Sequence, residues 1–244
     1  MSVIVPAVLV PSKTELDATL SKLVGLVDTV QIDVVDGKFI GPPTWPYASG
    51  GEEFAALVAR GDMLSYGEHF SFEMDLMVQD PEQVAGMWIA AGATKILAHV
   101  ESTNYLPRLI TDLQVKYGHE KGFAPGLLSF GLAINIDTDS SVLEPFIDSI
   151  DYVQFMGIAT IGKQGQPFDP RVIQKVQAFK KKHPDVPVQV DGGVSLETAP
   201  ALLTAGVDRL CVGSALVKKP DVRAEFEKFQ ELVEKYGIYE RTGR

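Results

Sequence analysis

A closed eight-stranded β/α barrel is the fold that three observations predict. Eight short β-branched or apolar runs are spread over the whole chain, amphipathic segments of helical spacing lie between most of them, and the 244 residues contain no linker or low-complexity tract. Strand–helix alternation implies parallel pairing through right-handed crossovers, and nearly continuous apolar strands imply a sheet covered on both faces. Eight such units in a chain near ~250 residues match the (β/α)8 (TIM) barrel. An open, doubly wound sheet is the alternative, because spacing does not by itself enforce closure. The barrel is expected to take up residues 1–244 as one domain.

The first strand is placed at 3–10. Pro6 interrupts this apolar run and no Lys or Arg precedes it, so it reads as a buried strand and not as the core of a signal segment. Leu16, Leu20, Leu23 and Val27 then recur at helical spacing. Strands two to four are placed at 29–34, 70–78 and 95–100, and strands five to eight at 128–136, 152–156, 188–191 and 209–212. Phe226, Phe229, Leu232, Val233 and Tyr236 outline the last helix. The longest predicted loops, 35–51 and 157–170, are rich in Gly and Pro and follow strands. In a barrel that position is the C-terminal mouth, which makes both loops lid candidates.

Charge narrows the partners. Against 22 Lys and Arg stand 32 Asp and Glu, a net charge of −10, which argues against holding a nucleic-acid backbone or an anionic bilayer. A bound anion must then be held locally, through backbone amides. The single cysteine, Cys211, excludes an intrachain disulfide and a multi-cysteine metal site and fits a reducing, cytoplasmic setting. No apolar run approaches the ~20 residues that span a bilayer.

Strand two, in the stretch Gln31-Ile32-Asp33-Val34, sets Gln31 and Asp33 on one face and Ile32 and Val34 on the other. A carboxylate at a strand end inside a barrel is costly unless it is paired or used, if only to tie down the following loop. Asp36-Gly37 reads as turn chemistry. Strand seven runs through Asp191 into Gly192-Gly193, across the barrel from strand two. Two carboxylates facing each other across a small substrate can take a proton from one face of a carbon and return one to the other, and their repulsion can keep one protonated. Asp75 shares its face of strand three with Glu73 and Met77; the competing reading is a charge at the strand's exit to solvent. Gly192-Gly193 and Gly213-Ser214, after the last two strands, can turn N–H groups toward a phosphate. His99 reads as a structural histidine and Cys211 as inert core.

These stretches, together with Asp33-Val34-Val35-Asp36-Gly37-Lys38-Phe39, Leu76-Met77-Val78, His99-Val100-Glu101, Gly131-Leu132-Ala133-Ile134 and Gly165-Gln166-Pro167-Phe168, resemble the ribulose-phosphate 3-epimerase family over nearly the whole chain. The resemblance implies a TIM barrel of the ribulose-phosphate-binding type and a phosphorylated sugar as substrate. It implies Asp33 and Asp191 as the acid/base pair, and Gly192, Gly193, Gly213 and Ser214, with Gly165, Gln166 and Met77, as the substrate and phosphate contacts. It also implies a divalent metal held by two histidines and two aspartates, and here the chain departs from the pattern. Gln31 and Asp75 stand at the histidine positions, the serines expected in the first strand are replaced in Pro6-Ala7-Val8-Leu9-Val10, Gln154 is placed where strand six would carry methionine, and the loop after strand six is longer than the family's.

Two accounts follow. In one, Gln31, Asp33, Asp75 and Asp191 form an oxygen-rich site for Mg or Mn in preference to Zn, and 3-epimerisation of a ketose phosphate survives. In the other no metal binds, and the barrel is a non-catalytic or repurposed phosphosugar-binding protein. The related phosphosugar decarboxylases use Asp-x-Lys-x-x-Asp on strand three; Asp75 to Asp80 keeps both aspartates but has Met77 at the lysine position. A Schiff base is disfavoured because Lys95 begins its strand on the wrong face and Lys38 is in a loop. The expectation is therefore a cytoplasmic 3-epimerase, with homo-oligomerisation left open.

Overall fold

The computed structural model describes residues 3–123 and 127–237. Its eight strands are β1 (Val3–Val8), β2 (Thr29–Val35), β3 (Ser71–Met77), β4 (Ala93–His99), β5 (Ser129–Ile134), β6 (Tyr152–Met156), β7 (Val188–Asp191) and β8 (Arg209–Val212). All pair in parallel with their sequence neighbours, and β8 pairs with β1 to close the barrel. The predicted closed barrel is what forms, and the open-sheet alternative is excluded.

Helices α1 (Lys13–Leu23), α2 (Glu52–Ala59), α3 (Ala85–Ala90), α4 (Leu106–Tyr117), α5 (Arg171–Lys182), α6 (Ala199–Thr204), α7 (Ser214–Val217) and α8 (Val222–Tyr236) surround it. Local chemistry sets several of their ends. The Ser12 hydroxyl accepts from Glu15 N ahead of α1, Asp221 does the same for Ala224 N ahead of α8, and α4 stops at Gly118 with φ 67°. Regular strand-then-helix alternation fails in one place. After β5 comes a 3₁₀ stretch, Ser140–Ser149, with Pro145 inside it, and a proline there denies an α-helix one N–H and clashes with the preceding turn. Val27, expected on the first helix, lies beyond its end.

Strand alternation divides the barrel into two chemistries. Side chains pointing outward, such as Ile32, Val34, Met74, Leu76, Ile96, Leu132, Phe155 and Val190, form the main apolar core with the helices. The lumen is polar. Gln31, Glu73, Asp75, His99, Gln154 and Gln189 are fully buried there, with Arg209 and the small side chains of Ala7 and Cys211.

Buried charge in the lumen requires partners, and the floor supplies them. Arg209 donates Nη2–H to Glu73 Oε2 at 2.6 Å, and its guanidinium lies 5.4 Å from the Tyr152 ring centroid. Gln189 Nε2 donates to the other Glu73 oxygen and, at 2.6 Å, to Gln154 Oε1. Arg209→Met should therefore strand a buried carboxylate and lower stability by ~3–5 kcal/mol, while Glu73→Gln added to it should recover part of that loss. Urea unfolding of the two variants measures this. Lys95, in register with Glu73, is on the lumen face and not the wrong face expected of it; what separates it from the mouth is its depth, at this N-terminal end beside Tyr152 and Arg209.

Candidate active site

Above the floor, β2, β3 and β7 each present one aspartate. Asp33 is in register with Asp75, and Asp191 ends β7 between Met156 and Cys211 of its neighbours. One carboxylate oxygen from each of Asp33, Asp75 and Asp191 lies within 4.8 Å of the other two. Asp75 is fully buried, whereas Asp33 and Asp191 reach a cavity of 290 Å³ at the barrel mouth. The strand-exit reading of Asp75 is overturned, because it points inward and has specific partners.

Amides and an imidazole brace the three carboxylates. Gln31 Nε2 donates to Asp33 Oδ1 at 2.9 Å and to Asp191 Oδ2 at 3.1 Å, bridging across the lumen between β2 and β7, which do not pair with each other. Gln154 Nε2 donates to Asp75 Oδ2 at 2.9 Å, and His99 Nε2 lies 3.1 Å from Asp75 Oδ1. Gln31 was expected as an oxygen ligand, and here the structure corrects the sequence reading. Its Oε1 is engaged by the Cys211 thiol at 3.2 Å and by Gln189, which leaves the N–H₂ end facing the carboxylates. Gln154 likewise lies one layer beneath the mouth. The β6 methionine that lines the cavity is Met156, two residues further along the same face. His99, expected as a structural histidine, is fully buried, and its partner Asp75 puts it beneath the site.

Burial and mutual repulsion govern the electrostatics. Burial, then the charges of Asp191 and Asp75, push Asp33 well above the usual carboxylate range. Burial and Asp75 raise Asp191 to about 7, against the hydrogen bond from Gln31. Burial alone would lower the His99 imidazole, but Asp75 and Glu101 outweigh it and hold it up at about 10. Burial pushes the Cys211 thiol up, in keeping with inert core.

These shifts set a pH dependence for the protein freed of metal. The folded pKa of Asp191 lies above its unfolded value, so the native state retains a proton that the unfolded chain releases between about 4 and 7. The His99 contribution is present below its unfolded pKa and is lost as pH rises toward about 10. In chelator, the urea midpoint should thus fall steadily from pH 5 to pH 9. Asp191→Asn should flatten the part below pH 7; a midpoint that rises with pH would contradict these environments.

The remaining expected residues gather around the same cavity. Gly192, Gly193, Gly213, Ser214, Gly165 and Gln166 all line it, as does Met77, which clusters with Met156. Gly192 (φ +94°) and Gly193 (φ +68°) adopt left-handed backbone, and an added Cβ would lie 2.7 Å from Ile158 Cγ1 and from Phe168 Cα respectively. Asp36-Gly37 is a turn, and Asp36 also accepts from Gln79 N at 2.9 Å, tying the loop after β2 to the end of β3. Residues 36–51 and 157–170 both lie at the mouth, where Phe39 and Ile40 pack against the cluster that contains Ile158 and Ile161. Sequence reading passed over Gln164 and Lys163, which also line the cavity.

A sequence model of the ribulose-phosphate 3 epimerase family matches residues 3–217. The chain belongs to that family. It is an isomerase family acting on carbohydrate, and two ribulose-phosphate 3-epimerases illustrate the distance. The enzyme from Schizosaccharomyces pombe is 31% identical over 82% of this chain and 81% of its own length, and that from Bacillus subtilis is 30% identical over 81% and 83%. Among solved structures, 3-hexulose-6-phosphate synthase from Salmonella typhimurium superimposes with a TM-score of 0.67 at 16% identity, covering 97% of this chain and 100% of that one. 3-Keto-L-gulonate-6-phosphate decarboxylase from Vibrio cholerae gives 0.67 at 13% identity, over 97% and 99%. At such identities these likenesses show a shared barrel alone.

Proposed function

We propose that this family member interconverts ribulose 5-phosphate and xylulose 5-phosphate by moving a proton off one face of C3 and onto the other. The observation that carries this reading is the Asp33–Asp191 pair, two cavity-facing carboxylates on β2 and β7 tied together by Gln31. Because burial and repulsion raise both, one is protonated while the other is ionised near neutral pH. The ionised member removes the C3 proton, the negative charge spreads onto the C2 carbonyl as an enediolate, and the protonated member delivers its proton to the opposite face. The pair then stands in the reverse protonation state, ready for the opposite conversion. Backbone N–H groups of Gly192, Gly193, Gly213 and Ser214 are assigned to the phosphate, and Met77, Gly165 and Gln166 to the sugar chain.

Asp33, Asp75 and Asp191 also fit a divalent cation, since three carboxylate oxygens converge and the donor set is all oxygen, suited to Mg or Mn more than Zn. A cation bound there supplies Lewis-acid stabilisation of negative charge on the ketose oxygens. Gln31 is a brace for Asp33 and Asp191 in this reading, and not a fourth ligand.

The alternative, a phosphosugar-binding barrel without turnover, draws on one observation: neither Gln31 nor Asp75 is a histidine. NMR of ribulose 5-phosphate incubated with the protein separates the two. Appearance of xylulose 5-phosphate is expected, whereas saturable binding without product would establish the alternative.

A further inference from the structure

The cavity wall contributed by β1 has little polarity, because Ala7 offers a methyl group and Leu9 an apolar side chain. Gln164, from the segment between β6 and α5, reaches across to this wall and donates Nε2–H to the Ala7 carbonyl at 3.1 Å. Gly213, after β8, leaves room for it: a Cβ there would lie 2.9 Å from Gln164 Nε2. The amide is therefore held between β1 and the Gly213-Ser214 loop. Its other end, Oε1, is buried and has no hydrogen-bond donor. A buried amide oxygen left without a donor is costly, and native proteins rarely keep one. Here the side chain lines the cavity that also contains Asp33, Asp191 and the glycine loops, so the missing donor can come from a ligand.

A ketose phosphate offers hydroxyls as donors. In ribulose 5-phosphate one of them, on C4, lies between the carbon that exchanges its proton and the carbon that carries the phosphate. Gln164 lines the same cavity as the carboxylate pair and lies against Gly213, one of the glycines assigned above to the phosphate. We propose that Gln164 is a specificity-determining residue whose Oε1 accepts a hydrogen bond from the C4 hydroxyl of the sugar phosphate. This rests on the epimerase reading given above. Lys163, the adjacent residue and the one lysine or arginine among the described residues lining this cavity, adds a positive charge at the rim.

The test compares kcat/KM for ribulose 5-phosphate and for its 4-deoxy analogue, in the wild type and in Gln164→Met, which keeps length but loses the acceptor. The wild type should prefer the hydroxylated substrate by at least ~10-fold, since a site built around a hydroxyl rejects the analogue that lacks it. Gln164→Met should lose at least ~10-fold on ribulose 5-phosphate and change within ~2-fold on the analogue, so that the preference collapses. Inhibition by inorganic phosphate should be unchanged, showing that the glycine loops remain in place. Equal losses on both substrates would make Gln164 a structural support of the loop and overturn the proposal. A wild type that turns over both substrates equally would overturn it without any variant. A wild type that epimerises neither would instead fail the epimerase reading, and this inference with it.

Discussion

Asp191→Asn should lower kcat for epimerisation by ~10²–10⁴-fold, and Asp33→Asn should do the same, the range that loss of a positioned acid or base produces. Asparagine keeps the shape of aspartate but can neither take the C3 proton nor supply one. The two variants should not be equivalent. Each retains one carboxylate, so each should still exchange the C3 hydrogen of the epimer that presents it to the surviving group, while failing to invert it. Complementary exchange, one epimer per variant, would assign the faces of the substrate to β2 and β7. Full activity in either variant would show that a single carboxylate serves both faces.

Removal of divalent cations should reduce turnover by at least ~10²-fold, with Mg or Mn restoring it, because three carboxylates converge at the mouth and their repulsion is relieved by a cation. Asp75→Asn should raise the concentration needed for restoration. The same cation favours the ionised forms of Asp33 and Asp191 and should shift the activity profile toward acid. Elemental analysis provides the check. Stoichiometric Zn bound through His99 would contradict the account, since His99 Nε2 is already directed at Asp75.

The barrel and the inward-facing aspartates of β2, β3 and β7 were legible in sequence for a simple reason. Strand periodicity is two, so a polar residue such as Asp33 or Asp75 set between Ile32, Val34, Met74 and Leu76 declares which face is the lumen. Gly192-Gly193 after β7 and Gly213-Ser214 after β8 marked the mouth in the same way. What periodicity cannot convey is which strands face each other across the lumen and how an amide is turned. The Glu73–Arg209 pair on the floor, the N–H₂ of Gln31 directed at the carboxylates and the depth of Gln154 beneath Met156 all depend on barrel closure. Gln164 was illegible because it lies in an irregular loop, where sequence distance from Ala7 says nothing about reach. The missing helix after β5 carried a visible signal in Pro145, which the regularity of the alternation overshadowed.

Proton transfer at C3 is tested most directly by incubating the wild-type protein with ribulose 5-phosphate in D₂O and locating the isotope by NMR. The Asp33–Asp191 account predicts xylulose 5-phosphate carrying one deuterium at C3 and none at C1. Bound ribulose 5-phosphate that stays fully protonated at C3, or deuterium that enters at C1, would contradict it.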